Sequence, residues 1–85
     1  MKITANLLAV GERFTHKGEE FIVTSREDYP FAYARCLTEP NDYEGHEVCF
    51  DYVTVDAADN AKHYKQEFVE VRKGHFVMKE TLVEG

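Results

Sequence analysis

The sequence predicts one mainly-β domain whose antiparallel strands curl into a small, partly open barrel. Three observations lead there. Three hairpins can be traced along the chain, and in each the apolar residues meet on one face. The two prolines and most of the five glycines stand where turns are wanted. At 85 residues the chain is long enough for one domain, spanning 1–85, and too short for two. A chain of this size buries roughly 60% of its unfolded surface, so the core is modest. Trp is absent, and six Phe and five Tyr must supply its large pieces.

The first hairpin runs from Arg13 to Ser25. Lys17-Gly18 is its two-residue turn, because Gly18 takes a positive φ without steric cost. Centring the turn there sets Phe14 opposite Phe21, which stacks two rings on one face. Glu27-Asp28-Tyr29-Pro30 then ends the strand.

The second hairpin joins 31–38 to 46–55. Phe31, Tyr33 and Leu37 alternate on one face, as do Val48, Phe50 and Tyr52 on the next strand. Bringing both sets to the same side centres the loop on Asp42-Tyr43, pairing Leu37 with Val48 and Cys36 with Cys49. The apolar phase slips at Val53 and Val55, which predicts a bulge or sharp bend near Tyr52. Residues 56–65 read as a loop with one helical turn, capped by Asp56 or Asp59. The third hairpin, 67–83, turns at Lys73-Gly74 and sets Val71 opposite Phe76 and Val69 opposite Met78.

The opening Leu8-Ala9-Val10-Gly11-Glu12-Arg13-Phe14, followed by Lys17-Gly18-Glu19-Glu20-Phe21-Ile22-Val23, resembles the first hairpin of small SH3-like barrels. It is similar to short accessory proteins of bacteriophages and mobile elements. The resemblance covers about a quarter of the chain and implies a barrel of five or six strands. It brings no catalytic or ligand-binding residue with it, since fold does not carry function.

Charge is unevenly spread. No Lys or Arg occurs from Cys36 to Ala61, where Glu39, Asp42, Glu44, Glu47, Asp51, Asp56 and Asp59 give −7, while the rest of the chain comes to +1. The net charge of the chain is −6. Such a stretch is either a solvated face or a docking surface for a basic partner. The docking surface expected here consists of Glu39, Asp42, Tyr43, Glu44, Glu47 and Asp51, with Tyr43 as a rigid aromatic contact. Read with the phage resemblance, the partner is a host nucleic-acid-handling or defence protein, inhibited in an anti-CRISPR-like manner. Beyond residue 61 the balance reverses. Lys62, Tyr64, Lys65, Arg72 and Lys73 make the alternative, a basic and aromatic groove for single-stranded nucleic acid.

Enzymatic motifs are missing from the sequence. Ser25 is the single serine and has no motif around it; Gly11, Gly18, Gly45 and Gly74 are isolated turn glycines, so no phosphate loop is formed. A zinc set of Cys36, His46, Cys49 and His63 can be drawn, but neither cysteine has a mate at short spacing, so neither metal nor cofactor is expected. The two cysteines read as reduced, small side chains, although the expected register permits a Cys36–Cys49 bridge. The start of the chain lacks a signal-peptide pattern and no apolar run is long enough to span a membrane, which predicts a cytoplasmic protein. An exposed edge strand leaves both a monomer and a weak homodimer open.

Overall fold

Turn chemistry sets the first hairpin. In the computed structural model, which describes residues 1–28, 30–38 and 47–84, Lys17 and Gly18 take φ of 51° and 79°. Two successive positive φ values give a turn whose twist matches that of the strands it joins. β2 (Arg13–His16) and β3 (Glu19–Ser25) therefore pair in regular register, with Phe14 opposite Phe21 as expected.

β4 (Ala32–Cys36) pairs with β3, β5 (Val48–Phe50) with β4, and β6 (Thr54–Ala57) returns to lie beside β2. β1 (Lys2–Thr4) flanks β6, and a 3-10 turn, Ala5–Leu7, follows it. The sheet order is β1-β6-β2-β3-β4-β5. It is a partly open, all-antiparallel β fold, and the sheet is not closed into a barrel. The chain bends at Asp51-Tyr52, where the apolar phase slips. β6 extends to Ala57, and residues 58–62 hold a turn rather than the expected helical one.

Three rings fill the centre. Phe14 and Phe21 stack at 5.3 Å, and Phe50 meets them edge-on at 5.2 and 5.1 Å. Leu8, Val23, Val55 and Ala61 close around them. This cluster overturns the expected register of the second hairpin. Ala32 pairs with Phe50, Tyr33 with Cys49 and Ala34 with Val48. The alanines are buried, whereas Phe31 and Leu37 are exposed. With three rings already in a small core, the strand beside Phe50 fits only if its inward positions are small. Cys36 pairs with Phe21 and packs against the core; Cys49 is exposed, and both thiols are free.

The remaining strands, β7 (His63–Arg72) and β8 (His75–Val83), form a separate two-stranded ribbon. Its turn at Lys73-Gly74 is as expected, but only Gly74 takes a positive φ, 77°. The ladder absorbs the mismatch with a bulge at Val71. The register therefore shifts by one: Phe68 faces Met78, Val69 faces Val77 and Glu70 faces Phe76, not the pairs expected from the turn alone. Ten residues of strand reach about 33 Å. The molecule measures 53 × 24 × 18 Å with a radius of gyration of 14.4 Å, against about 12 Å for a compact chain of this length. The ribbon is thus an arm.

Phe50→Ala should cost about 3–5 kcal/mol, read as a lower urea midpoint at unchanged slope. Ala34→Leu should cost about 1–3 kcal/mol by overfilling the same site.

Candidate interaction surfaces

The outer face of β3, β4 and β5 carries a small polar and aromatic patch. Its origin is a bulge in β3 at Thr24, between the pairs Val23–Ala34 and Ser25–Tyr33. Bulges re-aim side chains. Here the Thr24 hydroxyl lies 2.8 Å from Glu47 Oε2 and 3.0 Å from the Tyr33 carbonyl, which tethers Glu47 beside the edge strand. Tyr33 donates its phenol to Asp28 at 3.4 Å. Partial burial, then the negative groups Asp28, Cys49 and Glu47, push the Tyr33 hydroxyl above its ordinary pKa, so it stays a neutral donor. Asp51 is exposed at the far end of β5, beside the exposed Tyr52. Glu47 and Asp51 therefore bracket an edge strand of three residues.

The other acids of the basic-free stretch go elsewhere. Asp56, on β6, pairs with Lys2 at 2.6 Å, and that hydrogen bond holds its carboxyl below the usual range against the opposing effect of burial. Asp59 sits 3.2 Å from the N-terminal ammonium. Glu39, Asp42, Tyr43 and Glu44 lie outside the described residues.

The five residues expected to form a nucleic-acid groove are distributed along the arm. Lys62 stands at its base, 3.7 Å from Glu84, and Lys65 lies 3.5 Å from Glu67. Tyr64 and Lys65 point to opposite faces of β7. Arg72 and Lys73 are at the exposed tip. No single groove gathers them.

The residue that organises this region is one that sequence reasoning missed. Arg26, directly after β3, reaches from the sheet to the arm. Its Nε and Nη2 donate to the Asn6 carbonyl at 3.1 and 2.9 Å, and Nη2 donates to Glu80 Oε2 at 3.1 Å. Its guanidinium lies 3.9 Å above the centre of the Tyr64 ring. Only 13% of the Arg26 side chain is exposed. Gln66 donates to the same Glu80 oxygen at 2.9 Å. Burial pushes the Glu80 carboxyl up, but the hydrogen bonds from Gln66 and Arg26 and the Arg26 charge outweigh it and hold it below its ordinary value. Backbone contacts complete the joint: Leu8 bridges His63, and Ala9 N–H donates to the Lys62 carbonyl at 3.0 Å. In sequence, Arg26 is one basic residue in a polar chain break, and only a three-dimensional contact reveals its role.

Beyond this joint the arm is bare. Every residue from 67 to 82 is exposed, including Phe68 at 76% and Phe76 at 56%. Phe68, Phe76, Met78 and Leu82 share one face of the ribbon, and Val69 and Val77 share the other.

One open groove of about 400 Å³ lies over β2 and β6, lined by Arg13, Phe14, Thr15, Glu20, Asp56, Ala57 and Ala58. Its carboxylates are held in ion pairs, Glu20 with Arg13 at 3.5 Å and Asp56 with Lys2. No family model matches the chain, and no curated protein and no solved structure matches it.

Arg26→Ala should loosen the arm at its base and cost about 1.5–3 kcal/mol, since it removes charge-assisted, partly buried bonds. Hydrogen exchange should accelerate at 63–66 and 80–83, while β2 and β3 keep their protection. A depressed carboxyl stabilises above its unfolded pKa and loses that contribution as pH falls through the folded value. Wild-type exchange at the same amides should therefore rise as pH drops below about 4.3, and a Glu80→Gln variant should lack that dependence.

Proposed function

We propose that the chain is a non-enzymatic protein-interaction module that docks a basic protein surface through its acidic stretch. The observation that carries this reading is the placement of charge. Seven acids and no Lys or Arg occupy 36–61. Glu47 and Asp51 stand at either end of β5, which is the edge strand of its sheet among the described residues. Exposed Phe31, Leu37 and Tyr52 add apolar area around them, the mixture of anchor and charged rim that interfaces use. An acidic surface of this kind steers basic partners and competes with nucleic acid for them. The resemblance of the first hairpin to phage accessory proteins supports a finer reading: a cytoplasmic inhibitor or modulator of a host nucleic-acid-handling or defence protein.

A second reading has one observation in its favour. Arg72 and Lys73 cap an exposed two-stranded arm flanked by Phe68 and Phe76, and β-ribbons with basic and aromatic tips do enter nucleic acid. It ranks lower because the cations are few and spread out, so binding would be weak and sensitive to salt.

The test compares wild type with a variant carrying Asp42→Asn, Glu44→Gln and Glu47→Gln as bait in nuclease-treated bacterial lysate. A basic protein retained by wild type, reduced at least about tenfold on the variant and released by salt, is the expected outcome. Equal retention on both baits removes the acidic stretch from the interface. Retention of single-stranded DNA at low salt, lost with Arg72→Ala and Lys73→Ala, favours the second reading.

A further inference from the structure

At the joint between sheet and arm lies a buried asparagine. We propose that this joint is a two-position hinge. In the docked position Arg26 clasps the arm; in the released position the arm lifts from the 3-10 turn and the Asn6 side chain meets water.

The first argument is Asn6 itself. It is 2% exposed, and neither its Nδ2 nor its Oδ1 has a hydrogen-bond partner among the described residues. No other polar residue among them is buried. Asparagine often serves a left-handed backbone or a helix cap. Neither role applies here, since Asn6 has a negative φ and no side chain caps the 3-10 turn. A buried amide without partners has lost its hydration and gained nothing for it. Each such group shifts an equilibrium roughly fivefold to a hundredfold toward any state that exposes it.

The second argument is what lies against it. The turn Ala5–Leu7 packs on β7. The Asn6 carbonyl accepts both Arg26 bonds, Leu8 bridges His63, and Ala9 N–H donates to the Lys62 carbonyl. Ala5 and Leu8 belong to the core of the sheet. The turn is thus anchored to the sheet by apolar packing and to the arm by polar contacts. Separating the arm uncovers the turn and leaves the core in place.

The third argument is that the arm can move as a unit. Its ladder runs from His63 to Arg72 on one strand and from His75 to Val83 on the other, and residues 67–82 are all exposed. Among the described residues a single covalent link, Lys62–His63, passes from the sheet into the arm, directly after Ala61, which is fixed in the core. Arg26 opposes release through Glu80 and the Tyr64 ring. That clasp is worth less than its contacts suggest, because both ions regain water when it opens. Asn6 and Arg26 therefore pull the same joint in opposite directions, and any ligand that prefers one position shifts the other.

Asn6→Leu keeps the branched outline of the amide and removes its polarity. Hydrogen exchange at 63–66 and 80–83 should slow at least about fivefold. The most protected amides of β3 should slow by the same factor, because the Asn6 amide is hydrated in the released chain and in the unfolded chain alike. Slower exchange in β3 with no change at the arm base means that the amide stays buried when the arm lifts, and it overturns the proposal. A second measurement reads the hinge without altering Asn6. In a Cys36→Ala, Lys73→Cys background, spin labels on Cys49 and on position 73 report the distance from sheet to arm tip. Two distances are expected, the docked one and another whose share rises on adding Glu80→Gln. One narrow distance, the same with and without Glu80→Gln, overturns the hinge.

Discussion

Three phenylalanine rings decide how the sheet is turned. Phe14, Phe21 and Phe50 come from β2, β3 and β5 and meet within 5.3 Å of one another. Side chains alternate along a strand, so one inward residue fixes every other residue on it. Phe50 inward makes Cys49 point outward. Pairing with β5 then places Ala32 and Ala34 inside and Tyr33 outside. The outward position of Tyr33 is thus a consequence of the core, and the bulge at Thr24 brings the Thr24 hydroxyl and Glu47 to the same outer patch.

How far the sequence can be read follows from which forces are local. Lys17-Gly18 is legible because turn geometry is set by two residues, and the pairing of Phe14 with Phe21 follows from it. The Lys73-Gly74 turn is equally legible, but the bulge at Val71 is not, because it depends on how the ladder adjusts to a turn with one positive φ. The alternation of Phe31, Tyr33 and Leu37 has a clear period and gives the wrong inward face. Period identifies a strand, while available volume chooses its side, and volume is known only once Phe50 is in place. The third hairpin shows another limit. Its apolar residues do not meet on one face as expected but divide between two, Phe68, Phe76, Met78 and Leu82 on one and Val69 and Val77 on the other, and no pattern of alternation tells whether a face is covered. Part of the candidate acidic surface was legible as composition. The tether from Thr24 to Glu47 and the contacts of Arg26 were not, since each joins residues from different strands.

The surface divides into parts with different physical character. The sheet bears nearly all the net charge, with Glu47 and Asp51 at its β5 edge and Asp56 and Asp59 neutralised near β1. The arm is close to neutral and apolar. Arg26 stands where they join, and it uses one guanidinium to hold a main-chain carbonyl, a carboxylate and an aromatic face. A lysine has neither the planar fork nor the stacking surface for this combination. Attachment of the arm therefore rests on few groups, all at its base.

The position of β6 has a consequence for how the chain assembles. β6 is interior, between β1 and β2, yet it is the last strand of its sheet to appear in sequence. The β2–β5 meander is built from neighbours and closes short loops. Lys2 and Asp56 are 54 residues apart, and β1 has no partner until β6 arrives. Contacts of this separation slow folding, because the entropy of closing the loop is lost before the pairing rewards it. During synthesis the first strand must wait, unpaired, while more than half of the chain emerges. The arm follows last and is composed of local contacts, so it adds to a sheet whose final interior strand is already in place.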